Sequence, residues 1–325
     1  MQISLIMTVF NEAATIKTVL QTLAAQSRRP DEVVIVDGGS QDTTLANIQQ
    51  WLEQNPAVLN LKLLVQHGAN ISQGRNLAIA HATYPIIAVT DAGVRLEPNW
   101  LEVLTTPFER IEVAVVAGFF QADPHSSSPW EIALGATTLP TVSEIQPAKF
   151  LPSSRSVAFL QNAWQTADGY PEWLDYCEDL IFDLNLKKSG YSFEWCPAAL
   201  AYFRPRSSPT AFFKQYYRYA RGDGKANLFL KRHLLRYVTY TVVAPLMVWL
   251  GRKRWWIWPM LVGSGLFYVR TPYRRLFAHT PTYQKLGLTS KIAAILWIPL
   301  VRAIGDIAKM CGYPPGVWWR WFYIH

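Results

Sequence analysis

Acidic side chains recur where short apolar stretches of the sequence end. Asp91 follows the stretch YPIIAV, in the segment VTDAGVR, and Asp37 ends EVVIV, in VDGGSQDTT. Glu178 and Asp179 form an adjacent pair ahead of the helical pattern DLIFDLNLKKSG. Ligands of an open α/β sheet bind outside the carboxyl ends of its strands, so carboxylates there are placed for chemistry. Such a group can bind a cation, act as a general base or accept hydrogen bonds from a nucleoside.

Each of these positions also has a plain structural explanation. Asn11 and Glu12, in TVFNEAATI, are typical of a turn and a helix start, and the SQD segment after VDGG can cap a helix. Two acids at a helix start suit the helix dipole. Arg75, in GANISQGRNLAIA, is explained either as a surface arginine or as a partner for phosphate.

The elements that would position these residues alternate regularly over the first hundred residues. ISLIMTV, EVVIV, LKLLV and YPIIAVT are typical of strands, and a helical pattern follows each of them. This alternation predicts right-handed βαβ units around a parallel sheet. After residue 112 a further strand, VAVVAGFF, a stretch rich in Pro and Ser, and the segments YSFEWCP and AALAYFR suggest an added mixed section.

The charge of the chain is divided unevenly. The segment from Lys225 to His325 contains 15 Lys and Arg but one acid, Asp306, whereas the preceding residues hold 16 bases and 22 acids. Half of the residues are hydrophobic, which excludes general disorder. Basic residues mixed with aromatics fit nucleic acid or a membrane surface, and the long apolar runs favour the membrane.

Two uncharged runs dominate this basic segment, residues 237–250 and 255–269. Each is about 15 residues long, shorter than the roughly 20 residues that cross a bilayer. The runs fit helices lying in the membrane plane, a tight pair of spans or a buried helical cap. We therefore predict two domains, an α/β domain at 1–224 and a membrane-associated helical region at 225–325.

The order of these clusters resembles that of the family 2 glycosyltransferases with the GT-A fold. The resemblance rests on TVFNEA, VDGGSQD, HGANISQGRN, TDAG and DGYPEWLDYCEDLIFDLNLKKSG, and covers about residues 1–225. It implies the α/β GT-A nucleotide-diphospho-sugar transferase fold, a mostly parallel sheet flanked by helices. It also implies an inverting transfer from a nucleotide-diphosphate sugar by direct displacement.

The resemblance assigns roles to the matching residues. Asp179 matches the general base that deprotonates the acceptor hydroxyl, with Glu178 beside it as a further catalytic candidate. Asp37 would contact the nucleobase of the donor, and Arg75 would contact the donor phosphates or ribose. The donor-binding set comprises Thr8, Val9, Asn11, Glu12, Asp37, Gly74, Arg75, Asp91 and Ala92.

Asp91 is also the predicted metal ligand. It matches the first acid of the family's Asp-x-Asp motif, which holds Mg²⁺ or Mn²⁺ together with the diphosphate. Gly93 replaces the second acid. One protein carboxylate can suffice for such a cation, because phosphate and water complete its coordination.

A second motif follows the acid pair. The residues QYYRY resemble the Gln-x-x-Arg-Trp motif of membrane-bound family members, with tyrosine in place of tryptophan. The resemblance implies contact with the diphosphate and acceptor, and an aromatic and basic helix lying on a membrane is the structural alternative. The candidates are Gln215, Arg218, Tyr219 and Arg221.

We therefore expect a membrane-associated inverting glycosyltransferase. Its donor would be UDP- or GDP-linked, its acceptor a lipid-linked or cell-envelope glycan, and its catalytic domain cytoplasmic, at the inner face of the cell membrane. No nucleic-acid partner is expected, because the basic charge coincides with apolar runs. A non-catalytic protein that binds sugar nucleotides or glycans is the main alternative. A nucleotidyltransferase is less favoured, since TVFNEAAT lacks the glycine- and lysine-rich loop of that class.

Overall fold

The computed structural model describes residues 1–123, 128–279 and 281–323. Its strands are β1 (Ile3–Val9), β2 (Glu32–Asp37), β3 (Leu61–Val65), β4 (Ile86–Val89), β5 (Val94–Leu96), β6 (Val115–Ala122), β7 (Val157–Leu160) and β8 (Glu194–Phe203). Its α-helices are α1 (Ile16–Ala24), α2 (Thr44–Gln54), α3 (Ile71–Ala80), α4 (Trp100–Thr105), α5 (Pro129–Thr138), α6 (Gln161–Thr166), α7 (Glu178–Lys188), α8 (Pro209–Lys225), α9 (Leu230–Val238), α10 (Ala244–Lys253), α11 (Ile257–His279), α12 (Pro281–Lys285) and α13 (Leu288–Tyr323). A π-helical turn, Thr239–Val243, joins α9 to α10.

The described residues form two compact units. The first contains Met1–Asp123 and Val142–Arg204, and the second contains the described residues of 124–141 and 205–325. This division differs from the predicted boundary at residue 224, because α8 packs extensively on α13 and α5 packs on both α11 and α13. The functional boundary at 224 stays a prediction.

The first unit is built on one sheet of eight strands in the order β3-β2-β1-β4-β7-β6-β8-β5. The strands β3, β2, β1 and β4 are parallel, as the βαβ pattern predicted. The strand β7 runs antiparallel to both β4 and β6, and β5 runs antiparallel to β8. The predicted α/β architecture is thus confirmed. The segments YSFEWCP and AALAYFR of the predicted mixed section contribute to a single strand, β8.

Both faces of this sheet are covered by helices, which explains its uniformly apolar central strands. Along β1, Leu5 and Met7 pack with α1, α2 and α4, whereas Ile6 faces the opposite layer with α3, α6 and α7. This alternation is the two-residue period of a strand. The helix α3 begins with a capping box, in which Asn70 and Gln73 satisfy each other's backbone N–H groups.

The second unit is helical and exposes a large apolar surface. The stretch Leu230–Lys253 is the one helix among the described residues that is long and apolar enough to cross a membrane, and only 6% of its apolar window is buried. Trp255 on the following turn and Leu266 on α11 are exposed at 79% and 62%. This exposure argues against a buried helical cap for the runs at 237–250 and 255–269.

Glycines allow α8 and α13 to pack backbone against backbone. A Cβ atom added at Gly312 would lie 2.1 Å from the carbonyl oxygen of Tyr217, and one added at Gly316 would lie 2.1 Å from that of Arg221. At Gly265, in α11, an added Cβ would meet no atom within 4 Å. The two helices can therefore approach this closely only while these α13 positions lack a side chain.

We expect Gly312→Ala to lower the free energy of unfolding by about 1 to 3 kcal/mol, because the added methyl group forces α8 and α13 apart. Gly265→Ala is the matched control, also within a helix, and should be neutral or stabilise by up to about 1 kcal/mol. Thermal unfolding in a non-ionic detergent measures both. Equal midpoints for the two variants would contradict the close packing of α8 on α13.

Candidate functional site

The ends of β1 and β2 bring two of the predicted clusters together. Val9 pairs with Asp37 in the parallel register, and the backbone N–H of Gly38 donates to the carbonyl of Val9 at 2.9 Å. Thr8 lies one residue before Val9 and contacts α3, where a Cβ atom added at Gly74 would lie 2.7 Å from the Thr8 Cγ2. Gly74 therefore lets α3 approach β1 closely.

Asn11 and Glu12 join the loops that follow these two strands. Asn11 has a left-handed backbone (φ 55°), its N–H donates to Ser40 Oγ at 2.8 Å, and its Oδ1 accepts from the N–H of Gln41 at 2.8 Å. The N–H of Glu12 donates to Thr44 Oγ1 at 2.8 Å. Both residues thus fix the shape of the loop pair, whatever else they bind.

Asp37 is fully buried, and only one of its two carboxylate oxygens is hydrogen-bonded. Its Oδ1 accepts hydrogen bonds from the N–H groups of Gly39 and Ser40, both at 2.7 Å. Its Oδ2 is buried and has no hydrogen-bond partner among the described residues. Buried acceptors are nearly always paired, so this oxygen is suited to an N–H or hydroxyl donor from a ligand.

Arg75 joins two of the predicted acids, Asp91 and Glu178. Its guanidinium is buried and donates from Nη1 to Glu178 Oε1 at 2.7 Å and from Nη2 to Asp91 Oδ1 at 3.0 Å. The guanidinium carbon lies 5.2 Å from the ring centre of Tyr170. Arg75 is therefore no surface arginine. Two of its three nitrogens are committed to carboxylates, and its contact with donor phosphates stays a prediction.

Asp91 has a second arginine neighbour that the sequence did not reveal. Arg155 Nε lies 3.6 Å from Asp91 Oδ2, and the Arg155 guanidinium carbon lies 4.8 Å from the ring centre of Phe203. Arg155 falls in the Pro- and Ser-rich stretch PSSRS, which carries no motif. The chain fold alone brings it to Asp91. Ala92 follows Asp91 and is buried in the core.

The two adjacent acids of α7 face different environments. Glu178 is buried against Arg75, whereas Asp179 is partly exposed in the first helical turn. Burial raises the pKa of the Glu178 carboxyl, the charge of Asp179 raises it further, and Arg75 offsets part of the rise. Asp179 is consequently the acid of the pair that solvent or a substrate can reach, and Glu178 is held inside as the partner of Arg75.

A further acid lies one turn along the same helix. Asp183 is buried, and burial followed by the charge of Asp179 raises the pKa of its carboxyl well above the ordinary value. Tyr170 packs beside it on Phe182, with ring centres 4.3 Å apart, and pairs with Ser154 at 3.1 Å. These groups are buried near Asp179.

Few described side chains are available to bind the predicted metal ion. The described residues contain no group of three or more His, Cys, Asp or Glu side chains that could hold a metal ion. Asp91 contributes one carboxylate, and Gly93 is exposed with no atom within 4 Å of an added Cβ. The residues present fit a cation that takes one protein carboxylate and completes its coordination with phosphate oxygens and water.

The second predicted motif lies on α8, in the second unit. Gln215 Nε2 donates to the hydroxyl of Tyr219 at 2.8 Å, so these two residues are neighbours on the helix. Arg218 and Arg221 are three residues apart on the same helix. Their contact with a diphosphate or acceptor stays a prediction.

Arg75 gives the site a stability test. We expect Arg75→Met to lower the free energy of unfolding by about 3 to 5 kcal/mol, because Glu178 would keep its buried position without a counter-charge. Chemical denaturation monitored by circular dichroism measures this loss. Arg110→Met is the control, since Arg110 pairs with Glu194 at the same 2.7 Å but on the surface, and its loss should be much smaller. Similar losses in both variants would contradict a buried Arg75 hub.

Comparison with known proteins agrees with this geometry. The sequence profile described as Glycosyl transferase family 2 matches residues 4–164. The O-antigen chain rhamnosyltransferase RfbN of Salmonella typhimurium is 22% identical over 231 residues, 67% of this chain and 71% of that protein. The succinoglycan biosynthesis protein ExoA of Rhizobium meliloti is 27% identical over 254 residues, 73% of each chain.

Solved structures share the fold. The mannosyltransferase PcManGT of Pyrobaculum calidifontis, determined with GDP-Man and Mn²⁺, has a TM-score of 0.55 and 17% identity, and the match covers 99% of this chain and 87% of that one. TarS of S. aureus, residues 1–349, has a TM-score of 0.50 and 16% identity over 97% of this chain and 90% of that one. With the strand-end acids in the predicted order on this sheet, we conclude that the chain belongs to the family 2 glycosyltransferases and is a glycosyltransferase with the GT-A fold.

Proposed function

We propose that this protein is an inverting glycosyltransferase that moves a sugar from a UDP- or GDP-linked donor to a lipid-linked or cell-envelope glycan. The observation that carries the proposal is the split of the acid pair, in which Arg75 holds Glu178 inside and Asp179 stays accessible. An inverting displacement needs one base on the acceptor side, and Asp179 fills that role.

The loops after β1 and β2 form the nucleotide end of the proposed site. Asp37 offers an unpaired buried oxygen to an N–H of the base or a ribose hydroxyl. Thr8, Val9, Asn11 and Glu12 shape the wall beside it. TarS structures with UDP and with UDP-GlcNAc, and the mannosyltransferase structure with GDP-Man, support a nucleotide-diphosphate sugar as the donor class.

Asp91 forms the diphosphate end of the proposed site. Arg75 and Arg155 orient its carboxylate, and both add positive charge there. A Mg²⁺ or Mn²⁺ ion, when bound, would offset the charge that develops on the leaving diphosphate. Transfer that persists in EDTA would assign this role to arginines instead. On α8, Arg218 and Arg221 are the proposed further cations.

Asp179 performs the proton transfer in the proposed reaction. Its carboxylate accepts the proton of the acceptor hydroxyl while the hydroxyl oxygen attacks the anomeric carbon, and the bond to the diphosphate breaks on the opposite face. Buried Glu178 and Asp183 keep their protons more readily than an ordinary carboxyl, because burial raises the pKa of each. The accessible base is thereby distinguished from its neighbours.

The surface of the second unit supports the proposal that the acceptor is bound at a membrane. Its exposed tryptophans and its excess of Lys and Arg suit the interface of an anionic bilayer. The relatives named for O-antigen and succinoglycan synthesis support an envelope glycan as the product class. We propose that the catalytic unit lies on the cytoplasmic side, where nucleotide sugars are made.

The test of the proposed base is Asp179→Asn. We expect sugar transfer to fall by roughly 10² to 10⁴-fold, because the amide cannot accept the proton, while nucleotide binding is unchanged. Radiolabelled transfer to membrane lipids measures the first, and thermal shift with UDP and GDP measures the second. Asp168→Asn is the control, since Asp168 is an exposed acid in the same region and should keep wild-type transfer. Background transfer in wild type and variant alike, with nucleotide still bound, would favour the non-catalytic binding protein.

A second test restores the missing acid. We expect Gly93→Asp to tighten Mn²⁺ binding by roughly tenfold in the presence of UDP or GDP, because a second carboxylate raises the ligand charge beside Asp91. Isothermal titration calorimetry measures the affinity. Gly93→Asn has nearly the same size without the charge and should leave the affinity near that of wild type. Equal affinities of the two variants would place the cation away from Asp91.

A further inference from the structure

A polar cluster lies inside the second unit, around the one acid of its basic segment. Asp306, on α13, accepts from Arg236 Nε at 2.7 Å and from the hydroxyl of Tyr240 at 2.9 Å. The hydroxyl of Tyr268 also donates to this carboxylate. Asp306 thus joins α9, the π-helical turn, α11 and α13, and its charge is balanced by Arg236.

Two more cations share the face of α13 that carries Asp306. Arg302 and Lys309 lie four residues before and three residues after it, which are positions on one side of a helix. The Arg302 guanidinium carbon lies 5.0 Å from the ring centre of Tyr268, and Lys309 Nζ lies 4.8 Å from that of Tyr216. Their contacts in the cluster are therefore with aromatic rings.

Neither of these cations has an anionic partner in the part of the chain that the structure describes. Arg302 Nε is buried without any hydrogen bond. Burial, followed by the charge of Arg236, lowers the pKa of Lys309 to about 8, although the charges of Asp306 and Asp223 offset part of the fall. Asp223 also pairs with His233 at 3.1 Å, a contact that neutralises its charge only if the imidazole is protonated. Counted with His233 neutral, the two acids leave the three cations with about one unbalanced positive charge.

Arg302 and Lys309 are partly buried, and a charge that is partly removed from water is stabilised by a counter-ion. A phosphate group would supply the missing charge and accept hydrogen bonds from both side chains. The surrounding residues indicate which kind of molecule carries this phosphate group. Leu235, Phe267, Leu300 and Ile307 are large apolar residues on the same helices and are 48% to 69% exposed. Such surface suits hydrocarbon chains better than a soluble anion.

We propose that Arg302 and Lys309 bind the phosphate group of a membrane lipid whose hydrocarbon chain lies along the apolar faces of α9, α11 and α13. The proposal rests on the membrane association proposed above and is independent of the donor, the base and the metal. A lipid-linked acceptor and an ordinary phospholipid carry the same phosphate chemistry, so the test uses one short analogue of each.

The test measures lipid binding by the full chain in dodecyl maltoside, by thermal shift, without any nucleotide sugar. The probes are farnesyl phosphate, dihexanoyl phosphatidylglycerol, the neutral alcohol farnesol and inorganic phosphate. A ligand of the folded state raises the unfolding midpoint, so its concentration dependence gives the affinity. We expect at least one phosphate-bearing lipid to bind tenfold or more tighter than farnesol, and the tighter of the two identifies the source of the phosphate.

Variants assign this binding to the cluster. We expect Arg302→Gln and Lys309→Gln each to weaken the tighter lipid by at least tenfold, and the exposed control Lys231→Gln to change it less than twofold. Arg302→Lys, which keeps the charge, should retain more affinity than Arg302→Gln. If Arg302→Gln does not fold, the affinity of Lys309→Gln tests the proposal by itself. Wild-type affinity in the Gln variants, equal binding of farnesol, or binding of inorganic phosphate alone would overturn the proposal.

Discussion

The buried guanidinium of Arg75 is the constraint on which the first unit's site depends. It comes from α3, and it holds one carboxylate from the end of β4 and one from the start of α7. Removing Arg75 would leave the Glu178 carboxylate without a counter-charge in a place with little water, so these two residues are fixed together. The same ion pairs position the acids of the candidate site, because they hold Glu178 inside, orient Asp91 and leave Asp179 accessible.

In the second unit, a shared carboxylate likewise joins several helices. Its only acid beyond residue 224, Asp306, is shared by an arginine and two tyrosines from neighbouring helices. Glycines at the contact of α8 and α13 bring the helix backbones together, so tight packing there needs no large apolar side chains. The outer faces can then stay apolar, which is the distribution expected of helices that meet lipid.

The sequence predicted the strand-end acids and their order because these depend on local patterns of apolar strands and polar turns. The family resemblance named Asp179 as the base, but the sequence did not reveal that Glu178 is buried against Arg75, since that contact spans 103 residues. Arg155 and the short strand β5 were missed for the same reason, as each is defined by a distant partner. The placement of α8 with the C-terminal helices likewise follows from packing on α13, which no local pattern records.

The stereochemistry of donor hydrolysis tests the central claim most directly, because it needs no identified acceptor. Proton NMR can follow an α-linked UDP- or GDP-sugar in the presence of the enzyme and observe the free sugar before its anomers equilibrate. Direct displacement by water activated at Asp179 predicts that the β-anomer is released first, with loss of this signal in Asp179→Asn. Release of the α-anomer first would contradict the single-displacement mechanism and the role assigned to Asp179.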